Sequence, residues 1–176
     1  MGSSPKETNL SLDDSIVVAL GSNVSGDYAN CEALLEAVLA RFPQAGLPVI
    51  ARSRWWRSAA WPDPTGPEYR NGIAIVETND PPKAVLAKLL AIETAFRRVR
   101  LLRNAPRTLD LDLIAHGRAV IDEPNLVLPH PRAHERRFVM GPLAEIAPQW
   151  RHPVLGQTAA ELAAEAPVGR DAEPVS

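Results

Sequence analysis

Some segments of this chain have apolar residues at the spacing of β-strands and others at the spacing of α-helices, and this predicts a mixed α/β fold. A β-branched apolar run at 15–20 ends at the turn Gly21-Ser22-Asn23, and Pro82 suits the first turn of a helix. The predicted elements are a strand at 15–20, a helix at 28–41, strands at 49–57 and 70–78, a helix at 82–98 and a strand at 109–115. This order is the βαββαβ pattern of a ferredoxin-like fold, in which an antiparallel sheet carries helices on one face.

The remaining segments divide the chain into a leader, one domain and a tail. The polar residues 1–14 are predicted to be a disordered leader, 15–166 the folded domain, and 167–176 a flexible tail. Within the domain, 120–166 contains additional strand-like and helical segments that we expect to cover the sheet further. Prolines at 62, 64 and 67 exclude a central strand at 61–69 and predict a stiff loop that acts as a flap.

Composition and charge narrow the possible functions. A chain of 176 residues with 45% hydrophobic residues suits a single domain with its own core. Because no apolar run approaches the ~20 residues of a membrane span and the first residues are not signal-like, we expect a cytoplasmic protein without a membrane partner. The net charge of -2 argues against general binding of nucleic acid. We also expect the protein to be a monomer.

The strand at 109–115 carries the first candidate chemistry. Strand alternation in Leu-Asp-Leu-Asp-Leu places Asp110 and Asp112 on one face, ~6.6–7 Å apart, and the leucines on the other. Two acids on the same face of a strand repel each other unless a cation lies between them, and oxygen ligands without Cys or His suit magnesium. Taken alone, the pair is equally compatible with a solvated strand face.

Basic residues just before this strand favour a magnesium and polyphosphate site. Guanidinium groups grip phosphate oxygens in pairs, and a metal ion neutralises the remaining charge. A solvated helix end accounts for one or two of these residues, but not for those in the Asn-Ala-Pro turn. The cluster consists of Arg97, Arg98, Arg100, Arg103 and Arg107. We expect all of them except Arg97 to bind phosphates.

Two further sites are ambiguous on their own. His130 is held between Pro129 and Pro131, with Arg136 and Arg137 following, but a single histidine is more often structural than functional. The turn at 21–23 lacks both the Gly-Lys-Ser/Thr and the G-x-G-x-x-G signatures of phosphate loops.

Several motifs taken together resemble the 6-hydroxymethyl-7,8-dihydropterin pyrophosphokinase family of folate biosynthesis. They occur in the family's order and span about residues 16–166, and the Pro-Arg-Thr-Leu-Asp-Leu-Asp string is the most specific of them. The motifs are A-L-G-S-N at 19–23, Y-x-N at 69–71, P-R-T-L-D-L-D at 106–112, L-P-H-P at 128–131, R-x-F-V at 136–139 and P-L-x-E-I-A-P at 142–148.

The resemblance implies a ferredoxin-like enzyme with ATP as co-substrate. The hydroxymethyl oxygen of the pterin attacks the β-phosphorus of ATP, which gives the pterin pyrophosphate and AMP. Asp110 and Asp112 are implied to hold two magnesium ions, with Arg98 and Arg107 also catalytic. The residues implied to contact ATP are Arg98, Arg100, Arg107, His130 and Arg136, and those implied for the pterin pocket are Ser58, Trp61, Tyr69, Asn71 and Phe138.

Trp61 replaces an aliphatic residue that packs on the pterin in better-known family members. Because a large apolar ring on a flap needs a flat surface to cover it, we expect the pterin ring to lie between Trp61 and Phe138. Asn71 is expected to bind the polar edge of the pterin. The alternative is that Trp61 packs in the core with Trp55 or Trp56.

Two other functional classes fit parts of this pattern. RNA-binding modules share the element order, but they need aromatic residues on the central strands, and 71–77 has none. A magnesium-dependent nucleotidyltransferase pairs Gly-Ser with Asp-x-Asp, but there the acids follow the Gly-Ser turn closely. Such an enzyme releases pyrophosphate instead of AMP.

Overall fold

The computed structural model describes residues 12–23, 28–60, 65–102 and 109–175, with side chains in the third range up to Phe96. Its helices and strands follow the predicted order. The first α-helix is capped by Asn30, whose side chain accepts a hydrogen bond from the Ala33 N–H at 2.8 Å. The elements are β1 (Ile16–Ser22), α1 (Cys31–Leu39), β2 (Val49–Arg52), β3 (Trp56–Ser58), β4 (Tyr69–Val76), α2 (Pro82–Leu102), β5 (Leu109–His116), β6 (Ile121–Glu123), β7 (Leu126–Leu128), α3 (Arg137–Ile146), α4 (Ala159–Glu165) and β8 (Glu173–Pro174).

The main sheet has the strand order of a ferredoxin-like fold. β1 lies between β4 and β5, and β2 and β3 pair with successive parts of β4, so that the order is β5-β1-β4-β3-β8 with β2 beside β4. Each of these pairings is antiparallel. The predicted βαββαβ core is therefore confirmed, with β6, β7, α3, α4 and β8 as the additional C-terminal elements.

Apolar side chains cover the sheet on both faces. On one face, the leucines of β5 pack with β1, α1 and α2; on the other, Ile73 and Ile75 of β4 pack with α3 and α4. Strand alternation thus directs Leu109, Leu111 and Leu113 toward the first core, as predicted. The opposite face of β5 is left for its two aspartates.

The strand predicted at 49–57 is wrong in one respect, because two strands occupy this stretch. At Ser53 the hydroxyl oxygen accepts a hydrogen bond from the Ile73 N–H at 2.9 Å, and the next backbone N–H, that of Arg54, donates to a carboxylate oxygen of Glu145 instead of to β4. Ser53 still bonds to β4, because its N–H donates to the Ile73 carbonyl at 2.9 Å, and the chain leaves β4 at Arg54. It rejoins β4 at Trp56.

The ends of the domain also differ from the prediction. Residues 12–14 form a short 3₁₀ turn, and Asp13 accepts a hydrogen bond from the Arg151 N–H at 2.8 Å, whereas the rest of the predicted leader, 1–11, lies outside the described residues. The segment predicted as a loose tail contributes β8, which pairs with β3. In the described ranges, no helix is both long and apolar enough to cross a membrane.

Candidate active site

A cleft of about 180 Å³ lies where the centre of the sheet meets the start of α3. Its floor is the 19–21 part of β1, and its walls come from the end of β3, the start of β4, the acidic face of β5 and the first turn of α3. The residues predicted for the site that line this cleft are Ser58, Tyr69, Asn71, Asp110, Asp112, Arg136 and Phe138.

A second, more open cleft of about 430 Å³ runs along the edge of β5 that does not pair with β1. One wall is α2, through Leu86, Leu90 and Glu93, and the other is the 124–127 connection with the predicted residue His130. Asp110 and Asp112 line this cleft as well as the first one. The two carboxylates therefore mark the boundary between two adjoining binding spaces.

The other predicted site residues lie wholly or in part outside the described structure. Arg98 and Arg100 belong to α2, but their side chains are outside the described part of the structure. Trp61, Arg103 and Arg107 lie outside the described residues altogether.

Negative charge accumulates at the boundary between the clefts. Burial, the neighbouring Asp110 and the buried carboxylate of Glu93 raise the pKa of Asp112 from 3.8 to about 6, against the opposing effect of Arg136. Glu93 is fixed in place because it accepts a hydrogen bond from the Leu111 N–H at 2.8 Å. Neighbouring carboxylates whose ionisation is costly favour a bound cation.

The donor set fits magnesium held partly by a substrate. In the described ranges, no group of three or more His, Cys, Asp and Glu side chains could enclose a metal ion. Magnesium is commonly bound in this way, through one or two carboxylates together with phosphate oxygens and water. Asp110 and Asp112 therefore suit magnesium that arrives with a polyphosphate better than they suit a permanent metal centre.

His130 is presented to the second cleft as a neutral hydrogen-bond donor. Its Nδ1 accepts a hydrogen bond from the Arg132 N–H at 3.1 Å, so the neutral ring carries its proton on Nε2. Burial, together with the positive charges of Arg136 and Arg132 and the nearby His134, lowers the pKa of His130 to about 4. At neutral pH the ring can therefore donate to an oxygen without carrying a charge of its own.

Phe138 supplies the aromatic wall of the first cleft. The guanidinium carbon of Arg136 lies 6.0 Å from the centroid of its ring. The two tryptophans that precede the predicted flap in the sequence both have hydrogen-bond partners. The Trp55 indole N–H donates to a carboxylate oxygen of Glu36 at 3.0 Å, and the Trp56 indole N–H donates to a carboxylate oxygen of Glu145 at 2.8 Å.

Comparison with known proteins gives a consistent match. Residues 17–148 match the family described as 7,8-dihydro-6-hydroxymethylpterin-pyrophosphokinase (HPPK). A 2-amino-4-hydroxy-6-hydroxymethyldihydropteridine pyrophosphokinase of Synechocystis is 42% identical over 147 residues, which cover 83% of this chain and 73% of that protein. The corresponding protein of Pseudomonas aeruginosa is 40% identical over 156 residues, covering 86% and 91%.

The chain belongs to the HPPK family. Solved structures agree on the fold: wild-type HPPK-DHPS of Plasmodium falciparum aligns with a TM-score of 0.63 at 14% identity. That alignment covers 85% of this chain, which spans only 44% of the Plasmodium chain.

Two acids inside the family's matched range, the buried Glu93 and the half-buried Glu145, were not selected as site residues from the sequence. Glu93 lies four residues after Leu89, on the buried face of α2. A carboxylate at such an apolar helix position is unusual, and this is the only sequence feature that marks Glu93 as a candidate site residue. Glu145 belongs to the P-L-x-E-I-A-P motif, but its partners come 89 and 91 residues earlier in the chain, at Trp56 and Arg54. No local pattern reveals contacts of that kind.

Glu145 joins the β3 wall of the first cleft to α3. It accepts hydrogen bonds from the Trp56 indole and the Arg54 N–H, and its carboxylate also lies 3.3 Å from Nε of Arg54. Burial acts to raise the pKa of Glu145, but the hydrogen bonds from Arg54 and Trp56 hold it below the ordinary value. This acid therefore has a structural role in an HPPK fold: it fixes the two elements that face each other across the cleft.

Proposed function

We propose that this protein transfers a pyrophosphoryl group from ATP to the hydroxymethyl oxygen of 6-hydroxymethyl-7,8-dihydropterin, releasing AMP. The observation that carries this proposal is the pair of adjoining clefts with Asp110 and Asp112 between them. A transferase with two substrates needs two binding spaces that meet at the reacting atoms. Family membership supplies the chemical identity of the two substrates.

The first cleft suits the pterin. Phe138 offers a ring for stacking, and the side-chain amide of Asn71 offers both a donor and an acceptor, which the polar edge of a pterin can pair with. Ser58 and Tyr69 complete the wall on the sheet side. Trp61, which follows Ser58 closely in the sequence, is the residue proposed to stack on the second face of the ring.

The second cleft suits the nucleoside part of ATP. Leu86 and Leu90 of α2 face Leu126 and Val127 across it, and this gives apolar surface for a purine. At its inner end His130 can donate to a ribose or phosphate oxygen. The triphosphate then crosses from this cleft to the aspartates.

The charged residues act on the phosphates. Asp110 and Asp112 would hold two magnesium ions, which would neutralise negative charge on the phosphates during transfer. Arg136 lies beside the aspartates, and Arg98, Arg100, Arg103 and Arg107 come from the segment that leads into β5. Arg98 and Arg107 stabilise charge in the transition state as well as binding ATP.

The reaction is an in-line displacement at the β-phosphorus. The hydroxymethyl oxygen of the pterin forms the new O–P bond and loses its proton, while the bond from the β-phosphorus to the bridging oxygen breaks and AMP leaves with the electron pair. The residues of this chain hold the two substrates in line, and the flap at 61–69 excludes water from the reacting phosphates.

An RNA-binding role is disfavoured by the packing of the sheet. Ferredoxin-like RNA-binding modules bind nucleotides on the sheet face opposite their two helices. Here α3 and α4 pack on that face, against Ile73 and Ile75 of β4. In the described part of the chain, the centre of this face is a buried core, and its open part is the first cleft and not an extended platform.

Substitutions in the two clefts should separate the two substrates. Phe138→Ala removes the stacking ring and should raise the KM for the pterin ~10-fold while leaving the KM for ATP nearly unchanged. His130→Ala should do the reverse. Steady-state kinetics with each substrate varied in turn provide the measurement. If both KM values rise together in both variants, the assignment of one substrate to each cleft is wrong.

Gly21 leaves room for Asn71. It faces Asn71 across the β1–β4 pair, and a Cβ on Gly21 would lie 2.6 Å from Oδ1 of Asn71. Gly21→Ala should therefore displace the amide and raise the KM for the pterin ~10-fold, with a small change in melting temperature. In a double-mutant cycle, adding Asn71→Ala should cause little further loss, because both changes remove the same contact. Additive losses would show that Gly21 acts by another route.

A further inference from the structure

The chain after α4 returns to the cleft instead of leaving the domain. We call residues 168–174 the C-terminal strap. At its start the Val168 N–H donates to the Glu135 carbonyl at 3.0 Å, and the Arg137 N–H donates to the Val168 carbonyl at 2.8 Å. At its end, β8 pairs with β3. The strap therefore connects the first turn of α3 to β3, the elements that carry the two walls of the first cleft.

The strap backs the aromatic wall through Gly169. A Cβ on Gly169 would lie 2.5 Å from Cδ2 of Phe138 and 3.0 Å from Cε2. The backbone of Gly169 is thus packed directly against the ring, while Gly169 itself does not line the cleft. A side chain at residue 169 would displace the Phe138 ring from its position in the cleft wall.

The strap also fixes the opposite wall through Asp171. Its Oδ2 accepts a hydrogen bond from the Ala59 N–H at 2.7 Å. Ala59 and Ser58 line the cleft and directly precede the flap. A charged acceptor on a backbone N–H is among the stronger hydrogen bonds in proteins, so Asp171 holds the end of β3 at a defined distance from α3.

We propose that the strap is part of the pterin-binding site, with Gly169 and Asp171 as positioning residues that set the separation of the Phe138 and Ser58 walls. The inference rests on the proposed function for the identity of the ligand. It extends the site beyond the part of the chain that matches the family, because that match ends at residue 148. The strap is expected to act mainly on the pterin side, since Phe138 and Ala59, which Gly169 and Asp171 contact, line the first cleft and not the second.

Gly169→Ala tests the proposal with a matched control inside the same chain. Gly169 and Gly156 both have left-handed backbone conformations, with φ of 75° and 76°, so alanine is strained at either position. A Cβ on Gly156, however, meets nothing within 4 Å. The difference between Gly169→Ala and Gly156→Ala therefore isolates the contact with Phe138 from the backbone strain.

We expect Gly169→Ala to lose at least as much melting temperature as Gly156→Ala, because it adds a steric contact to the same backbone strain, and the two variants to differ in pterin binding. Gly169→Ala should raise the KM for the pterin ~10-fold or more, because small displacements of a substrate-positioning group are costly. Gly156→Ala should leave it unchanged, and the KM for ATP should change in neither. Equal pterin KM values in the two variants, or equal losses for both substrates, would overturn the role of the strap.

Asp171 provides a second test if Gly169→Ala does not fold. Asp171→Ala should raise the KM for the pterin several-fold, whereas Asp171→Asn should recover most of the affinity because its amide oxygen still accepts from Ala59. No effect of Asp171→Ala would contradict the proposal. The wild-type protein tests the proposed function separately: if it forms AMP while the variants match their controls, only the strap inference fails, and if it forms none with the pterin, both fail.

Discussion

Asp110→Asn and Asp112→Asn should each lower kcat by ~10²–10³-fold or more, with the fold intact. Both carboxylates lie at the boundary of the two clefts, and each substitution removes one carboxylate ligand and half of the charge of the aspartate pair. Raising the magnesium concentration should recover only part of the loss. The exposed acid Asp122, which lines neither cleft, gives a matched control, and Asp122→Asn should retain normal turnover.

The same substitution at Asp112 should stabilise the protein in the absence of metal. Because the pKa of Asp112 is raised from 3.8 to about 6, its charge opposes folding, by roughly 3 kcal/mol at neutral pH. The cost is lost as the pH falls from about 6 to well below 3.8, where the group is protonated whether the chain is folded or unfolded, and it is nearly complete by about pH 7. Asp112→Asn should therefore melt ~6–12 °C above the wild type at pH 7.5 without magnesium, and the difference should shrink as the pH is lowered toward about 3.

The change in melting temperature of Asp112→Asn distinguishes an acid that serves function from one that stabilises the fold. If Asp112 served the fold, its replacement would lower the melting temperature at neutral pH. Near-normal turnover of either asparagine variant at saturating magnesium would contradict the metal-binding assignment.

Arg136→Ala should lower kcat by ~10²–10³-fold, the cost of losing one donor that stabilises developing charge. Arg136 lies in the first cleft at the entry to α3, next to the aspartates and to Phe138. Its positive charge also holds down the pKa of Asp112. Without it that pKa rises above about 6, so the acid limb of the kcat/KM profile should move to higher pH.

Arg136→Lys distinguishes the charge from the geometry of the guanidinium group. Lysine keeps the positive charge and should restore the acid limb, but it lacks the paired donors of arginine and should recover kcat only in part. Arg132→Ala is the control, because Arg132 is exposed and lines neither cleft. An unchanged kcat in Arg136→Ala, with only a higher KM for ATP, would mean that Arg136 binds the ground state alone.

The sequence was sufficient for the features that repeat along one element. The alternation in 109–113 predicted which face of β5 would be acidic, and the leucines do pack against α1 and α2. The element order gave the ferredoxin-like sheet for the same reason: apolar periodicity is a local property, and each strand and helix shows it independently.

Features that depend on distant contacts were not predictable in this way. The sequence of 49–57 is typical of one continuous strand. The break arises because the Arg54 N–H donates to Glu145, a residue distant in the sequence. The tail at 167–176, which contains the strap, was predicted to be flexible. Its order comes from backbone pairing with β3 and from single contacts such as that of Asp171 with Ala59, which leave no pattern in the sequence.

The most direct test of the account is to follow the fate of ATP labelled in the α-phosphate. Incubated with magnesium and 6-hydroxymethyl-7,8-dihydropterin, the wild-type protein should convert the label to AMP in equal amount with the pterin pyrophosphate formed, and should release no AMP when the pterin is omitted. Labelled ADP would mean transfer of the γ-phosphate alone. Label attached to the pterin, with release of free pyrophosphate, would indicate a nucleotidyltransferase, and either result would contradict attack at the β-phosphorus.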